Sequence, residues 1–384
     1  MTANQCFNQN VLKITMPKLL SRSAWVVAYS LFLFILVEFV VRLFFGFIVG
    51  SDAFFYGFVA NQAELDISRH ENIVHGRYSR YFPGQVKDDT DVSGNRFQVE
   101  MNNNGFRKPN YSTGKEPGTI RVVTLGASST FGYHSRDHET YPAVLNTLLI
   151  EHCPHAKIEV INLGIPHLDA EQITNLFIDE GARLSPDIVT FYEGVNDSQG
   201  GNWRAPKNLS LGQQIRIFLR DKILTVKLIR QLTRQKKMFT TAQVEENKTT
   251  TLAKFLRHLN ILREAVRDSG AQFVVATQLA KSDLYSDTEI AGISYASEVS
   301  EIYAQLDEQG AIPNGKRIIL VHHHLMNALK AWALNNRIVT IDVVEELGTH
   351  RQELISWVHL SPTGNKLVAN EFAASLAPLI CSGE

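Results

Sequence analysis

Cysteine is scarce in this 384-residue chain: three occur, Cys6, Cys153 and Cys381, far apart and in no metal-ligand spacing. That pattern sets aside a disulfide framework and a zinc ribbon. Neither sign of charge is in excess, with 38 lysines and arginines against 39 aspartates and glutamates. A general nucleic-acid binder carries a basic surplus, so that class is excluded. Disorder is excluded as well, because 44% of the residues are hydrophobic and only 20% charged, the proportions of a folded protein. Long apolar runs are also few. The mean hydropathy lies just below zero, which rules out a multi-span transporter. One such run does exist.

From Ala24 to Gly50 the chain reads AWVVAYSLFLFILVEFVVRLFFGFIVG, with Glu38 and Arg42 its only charges. About 20 apolar residues suffice to cross a hydrocarbon core. Glu38 and Arg42 are four residues apart and fall on one helical face, where they can pair. Lys13, Lys18 and Arg22 precede the run without an acidic residue, and Asp52, Glu64 and Asp66 follow it. This asymmetry predicts a cytoplasmic segment over residues 1–23, an anchor over 24–50 and an exported remainder, periplasmic or extracellular. The run is too long for a cleaved signal peptide, and no clear small-x-small cleavage site follows it.

Residues 51–118 read as an irregular polar connecting region rich in turn chemistry, including Asp88-Asp89, Ser93-Gly94-Asn95 and Asn102-Asn103-Asn104-Gly105. Phe97 to Met101 alternates as a short strand does, and the Asn-Gly after it predicts a hairpin. From Thr119 to the end, strands and helical stretches alternate. The strands are Ile120–Leu125, Lys157–Leu163, Asp187–Gly194, Gln272–Gln278 and Arg337–Val343. Helices are expected from Tyr141-Pro142, from Asp169, over Leu252–Asp268, over Leu320–Asn335 and over Thr363–Leu379. This rhythm implies parallel βαβ units in a layered α/β domain over residues 119–384.

Two stretches break it. Within residues 203–250, Arg204, Lys207, Arg216, Arg220, Lys222, Lys227, Arg230, Arg234, Lys236 and Lys237 face a single acid, Asp221, up to residue 237. Ile215, Phe218, Leu219, Ile223, Val226 and Ile229 make a helical stripe between them. Such a helix either rests on an anionic surface, membrane or glycan, or packs on the domain with a solvated basic face. The second stretch, residues 281–316, reads as an inserted helix with a Gly/Pro exit.

Reactive groups gather at the carboxyl ends of strands in open α/β sheets. After the first strand stands Gly126-Ala127-Ser128-Ser129, and after the second Asn162-Leu163-Gly164. Gly194-Val195-Asn196-Asp197 follows the third, and Val358-His359-Leu360-Ser361 precedes the last helix. Each is an ordinary turn or cap when taken alone. Together they supply a nucleophile, a base and donors for a developing oxyanion. His322-His323-His324 is not read as a metal site, because consecutive helical residues diverge by about 100° and cannot converge on one ion. No cofactor is implied.

These four blocks resemble those of the SGNH (GDSL-like) hydrolases, serine esterases and acyl-transfer enzymes. The resemblance covers about residues 119–380, and Asn104-Gly105-Phe106-Arg107 with the Glu38/Arg42 anchor is similar to membrane-anchored members. It implies a flavodoxin-like three-layer α/β/α fold with a parallel sheet, preceded by one transmembrane helix. It further implies Ser128 as nucleophile, His359 as base, and an oxyanion hole of the Ser128 N–H, the Gly164 N–H and Asn196. Two positions depart from the family pattern. Ala127 replaces the usual Asp of the first block, and Ser356 replaces the Asp that normally stands three residues before the histidine. That Asp fixes the imidazole tautomer and stabilises the imidazolium. Here Ser356, a backbone carbonyl near Trp357 or Glu353 must orient His359, or the pair works as a dyad. The expected activity is hydrolysis of O-acyl esters, O-acetyl among them, on a small molecule or glycan. An O-acyltransferase modifying a cell-envelope polysaccharide and an idle glycan-binding or assembly protein are the alternatives.

Overall fold

The computed structural model describes residues 22–49, 71–74, 77–200, 211–212, 215, 223–233 and 237–381. The chain divides into two compact units, Met1–Ala60 with Leu209–Arg234, and Asn61–Asn208 with Gln235–Glu384. The first contains the apolar helix α1, Arg22–Val49. Its 25-residue stretch Ala24–Ile48 is long and apolar enough to cross a membrane, and a membrane span or a signal sequence has this character. Arg42 Nε donates to Glu38 Oε1 at 2.7 Å, the pairing the spacing predicts. Glu38 also accepts from the N–H groups of Leu224 and Thr225, each at 2.8 Å, and from Thr225 Oγ1 at 2.7 Å. The carboxylate thus caps the helix Leu224–Thr233, satisfying amides that a helix start leaves without partners. Much of the basic stretch, residues 203–210, 213–214, 216–222 and 234–236, lies outside the described residues. Its last ten residues are no insertion but the first turns of a long helix described below.

The second unit is built on five parallel strands: β1 (Thr119–Gly126), β2 (Lys157–Asn162), β3 (Ile188–Tyr192), β4 (Gln272–Ala276) and β5 (Val339–Ile341). Their spatial order is 2-1-3-4-5, the flavodoxin-like order with its switch point between β1 and β3. β1 is buried almost throughout because helices cover both faces of the sheet, and such strands read as continuous apolar runs. On one face Val122 packs with α2 (Tyr141–His152) and the C-terminal helix, Pro362–Cys381. On the other, Val123 and Leu125 pack with α3 (Ala170–Leu176), α4 (Thr241–Asp268) and α5 (Asn314–Asn335). The fold is therefore three-layered α/β/α. α4 begins eleven residues before the expected Leu252, because Thr240 and Gln243 form a reciprocal capping box there.

Cys153 and Cys381 are joined, with Cα atoms 5.5 Å apart. The sequence spacing gave no hint of this, since 228 residues separate them; only the packing of α2 against the C-terminal helix brings their ends together. One bridge of that span removes about 5 kcal/mol of unfolded-chain entropy in the loop-closure account.

The upstream region is not a loose connection. Tyr78, Tyr81, Val99, Met101 and Phe106 are buried in the same core as Phe131 and Leu125. The expected hairpin forms elsewhere: Arg96–Glu100 pairs antiparallel with the upstream strand Val86–Thr90. Asp91 closes that turn by accepting from the N–H groups of Ser93 and Asn95 at 2.9 Å. At the Asn-Gly run, Asn102 Oδ1 accepts from Asn104 N–H at 2.8 Å and Phe106 N–H at 3.1 Å. That curls the chain into a loop rather than a second strand.

Arg107, 1% exposed, holds the segment after β1 in place. Its guanidinium donates to Asp137 at 2.7 Å and to the carbonyls of Phe131, Gly132 and Ser135 at 2.9, 2.6 and 2.5 Å. Removing it strands buried acceptors. Arg107→Met is expected to lose about 3 kcal/mol or more of stability, read as a lower urea midpoint at unchanged slope; an unchanged midpoint would show that this guanidinium holds nothing.

Candidate active site

The loops at the carboxyl ends of β1, β2 and β3 and the loop before the C-terminal helix meet at one place. β1 ends at Gly126, where an added Cβ would lie 2.0 Å from Thr130 Oγ1 and 2.7 Å from the Tyr192 carbonyl. Only glycine lets the chain turn back so sharply into the short helix Ser128–Phe131. That turn presents Ser128, 8% exposed, with Oγ 2.9 Å from His359 Nε2. The two residues are 231 apart in sequence.

Behind the ring, Ser356 Oγ lies 2.9 Å from His359 Nδ1 and accepts the His359 backbone N–H at 3.2 Å. Of the three orienters the sequence leaves open, this is the one in contact. A hydroxyl donates as well as accepts, so Ser356 does not force the proton onto Nδ1 as a carboxylate would. Burial holds the His359 pKa down, and the neighbouring Lys87, His134 and His167 add to this, lowering it to about 3.

Gly164 and Asn196 stand beside this pair in ways the sequence does not predict. The Gly164 N–H, expected to point freely into the site, donates to Asn162 Oδ1 at 2.8 Å. Asn162 Nδ2 donates in turn to the Thr130 carbonyl at 2.8 Å, tying the β2 loop to the serine turn. The glycine is needed for space, since a Cβ there would sit 2.3 Å from Phe131 N and 2.6 Å from Thr130 C. Asn196 gives one amide hydrogen to the Leu168 carbonyl at 2.9 Å, and its backbone N–H to Glu193 Oε1 at 2.8 Å. Its second amide hydrogen is not used by that bond. Buried Glu193 is pushed up to about 7, chiefly by desolvation.

Gln278, just past β4, links these loops. Its Oε1 accepts the Val195 N–H at 2.9 Å, and its Nε2 donates to Ser129 Oγ at 3.3 Å and Glu193 Oε2 at 3.4 Å. Ser129 Oγ donates to the Val358 carbonyl at 2.9 Å, next to His359. Sequence reasoning passed over Gln278, although a polar residue ending a buried strand on the reactive edge was the available signal. It also passed over Lys87, Tyr133, His134 and His167, which lie near His359, and Asp89, which holds His134. Lys87 and Asp89 alternate with exposed neighbours in a short strand, and nothing local marks them.

The His322-His323-His324 run diverges as helical geometry requires. His322 is buried with Nδ1 2.7 Å from Tyr295 Oη, and His323 Nε2 lies 2.9 Å from Asn327 Nδ2 on a more open face. Among the described residues no group of three or more His, Cys, Asp or Glu side chains is arranged to hold a metal ion.

Residues 122–372 match the family GDSL-like Lipase/Acylhydrolase. The chain belongs to that family. This GDSL-like chain is accordingly an ester-bond hydrolase by descent, and the match takes in the sheet from within β1 onward. Similar solved structures include an acetyl xylan esterase (15% identity, 67% of this chain and 100% of that one, TM-score 0.38). A lipase/acylhydrolase from Enterococcus faecalis is another (16% identity, 68% and 97%, TM-score 0.37). A third is a member of the lipolytic protein G-D-S-L family from Veillonella parvula (12% identity, 66% and 95%, TM-score 0.37). No curated protein matches the sequence.

If Gln278 sets the spacing of the loops, Gln278→Leu should leave a folded domain whose Ser128 reacts about tenfold or more slowly with a fluorophosphonate. Far-ultraviolet circular dichroism should stay the same and KM for p-nitrophenyl acetate change little while kcat falls. Equal labelling rates would remove Gln278 from any positioning role.

Proposed function

We propose that this GDSL-like protein is a membrane-anchored serine hydrolase of O-acyl esters, O-acetyl esters included, with its hydrolase domain exported. The observation that carries the reading is the 2.9 Å contact between Ser128 Oγ and His359 Nε2. His359 accepts the Ser128 proton as Oγ attacks the ester carbonyl, and the carbonyl electron pair moves onto oxygen. That oxyanion takes hydrogen bonds from the Ser128 N–H and the second Asn196 amide hydrogen. Gly164 N–H contributes by sharing its hydrogen with Asn162 Oδ1. The tetrahedral species collapses, the alcohol leaves with the proton from His359, and the acyl group stays on Ser128. Water then gives its proton to His359 and attacks the acyl carbon; the second tetrahedral species collapses, Ser128 Oγ leaves with the proton from His359, and the acid is released.

Export is supported by two features. Lys13, Lys18 and Arg22 flank the start of the anchor, and such charges stay on the cytoplasmic side. The Cys153–Cys381 bridge suits an oxidising compartment.

The test needs no knowledge of the substrate. Detergent-solubilised full-length protein should be labelled by a fluorophosphonate probe at Ser128 and should turn over p-nitrophenyl acetate. Ser128→Ala should abolish labelling and reduce turnover to the level of the uncatalysed reaction; labelling at another residue, or none, would refute the assignment.

The pH profile provides a second check. His359 must be neutral to act as base, and its pKa is lowered to about 3. Protonation as pH falls through about 3 removes the base, so kcat/KM should stay near its plateau down to about pH 4, where an unperturbed histidine of pKa about 6.5 would already be almost fully charged. An acid limb centred near pH 6.5, with the protein still folded, would contradict this environment for His359.

A further inference from the structure

His359 has a buried lysine near it and a hydroxyl, not a carboxylate, at Nδ1. Lys87, 4% exposed, donates from Nζ to Tyr133 Oη at 3.2 Å and stands 4.4 Å from the centre of the Tyr133 ring. The Tyr133 ring meets the His359 ring edge-on with centroids 5.2 Å apart. The His134 ring lies 5.7 Å from it. His134 and His167 both hold left-handed backbone, with φ of 63° and 66°, a conformation that is costly for such residues and that surrounding structure must impose. For His134 the cause is visible. Asp89 Oδ2 accepts its backbone N–H at 3.1 Å, and its Nδ1 reaches the Thr90 carbonyl at 3.0 Å. The strand Val86–Thr90 therefore delivers a lysine and a positioned histidine to the base, from a segment that precedes the family match.

This arrangement has a chemical consequence. Attack by Ser128 creates an imidazolium at His359, which the field of Lys87 opposes and Ser356 offers no charge to stabilise. His359 must also reach the leaving oxygen, so the groups packed round its ring border the alcohol part of the substrate rather than the acyl part. We propose that Lys87, His134 and His167 form a subsite for a carboxylate on that alcohol part, making acylated acidic sugars the preferred substrate class. The substrate's charge then does at the base what the missing aspartate does elsewhere. A single carboxylate fits better than a phosphate dianion, because Lys87 supplies one positive charge, burial keeps His167 neutral and the Asp89 carboxylate stands beside His134. This inference rests on the hydrolase reading above and adds the substrate class to it.

The experiment compares acetyl esters of methyl glucuronoside and methyl glucoside with the full-length protein in detergent. The acidic ester is expected to show kcat/KM about tenfold or more above the neutral one at low salt, with the ratio shrinking as salt is raised. Lys87→Met should collapse that ratio toward one, and Lys87→Arg should restore part of it. Ser356→Asp should raise turnover of the neutral ester more than that of the acidic one. Binding of unacylated methyl glucuronoside and methyl glucoside to Ser128→Ala, followed by calorimetry, reads the same preference without turnover and without altering the subsite. Equal turnover of the two esters, or equal binding of the two sugars, overturns the subsite while fluorophosphonate labelling of Ser128 leaves the hydrolase reading standing. Failure of labelling with tighter glucuronoside binding retained would do the reverse.

Discussion

One short contact organises this molecule: an imidazole nitrogen 2.9 Å from a serine hydroxyl, held between loops from opposite ends of the domain sequence. Hydrogen-bond chemistry of this kind tolerates only a few tenths of an ångström, and neither loop fixes that distance alone. Asn162 braces the serine turn from the β2 side. Gln278 and Ser129 connect the Asn196 loop, the serine turn and the carbonyl beside His359. Arg107 gathers three carbonyls of the segment that follows. Each brace is buried and polar, so a loss is costly and the geometry is correspondingly well specified.

His359 sits in unusual surroundings for the base it is proposed to be. Ser356 occupies the place of a carboxylate and contacts Nδ1, yet supplies no charge. Lys87, Tyr133 and His134 crowd the ring from the other side. Burial and positive charge together favour a neutral imidazole, which is ready to accept a proton but gains little by doing so. Any negative charge brought by a ligand on that side would change the balance, which is how the upstream strand, far from the serine in sequence, bears on reactivity.

The strands and their parallel alternation with helices were legible from a repeated signal, apolar β-branched runs such as Ile120–Leu125 ending in Gly, Ser or Asn, whereas the flavodoxin-like arrangement was what the family resemblance implied. The family's blocks placed Ser128, Gly164, Asn196 and His359 on those ends. Helix starts were less legible, because Thr240 and Gln243 act as a capping box only once Met238–Thr240 is paired with the distant Ala311–Pro313. The upstream region was misjudged for a related reason. Its polar turns are what sequence displays, whereas Tyr78, Tyr81 and Phe106 become core only against Phe131. Cys153 and Cys381 likewise carried no pairing signal without the helices that bear them.

The sequence by itself determined the elements, their alternation and the apolar helix with its Glu38–Arg42 pair, because these depend on local periodicity and residue chemistry, and it named the candidate site residues through the blocks shared with the family. Tertiary structure alone decided that Ser356 lies against the imidazole, that the Gly164 N–H turns to Asn162, that Gln278 braces the loops and that Lys87 stands behind Tyr133. The Gln278 and Lys87 contacts cross dozens of residues or more, and the Ser356 and Gly164 contacts, although only two or three residues long, depend on loop shapes that the packing imposes. Distances of that kind are set by how layers pack, and no local pattern encodes them.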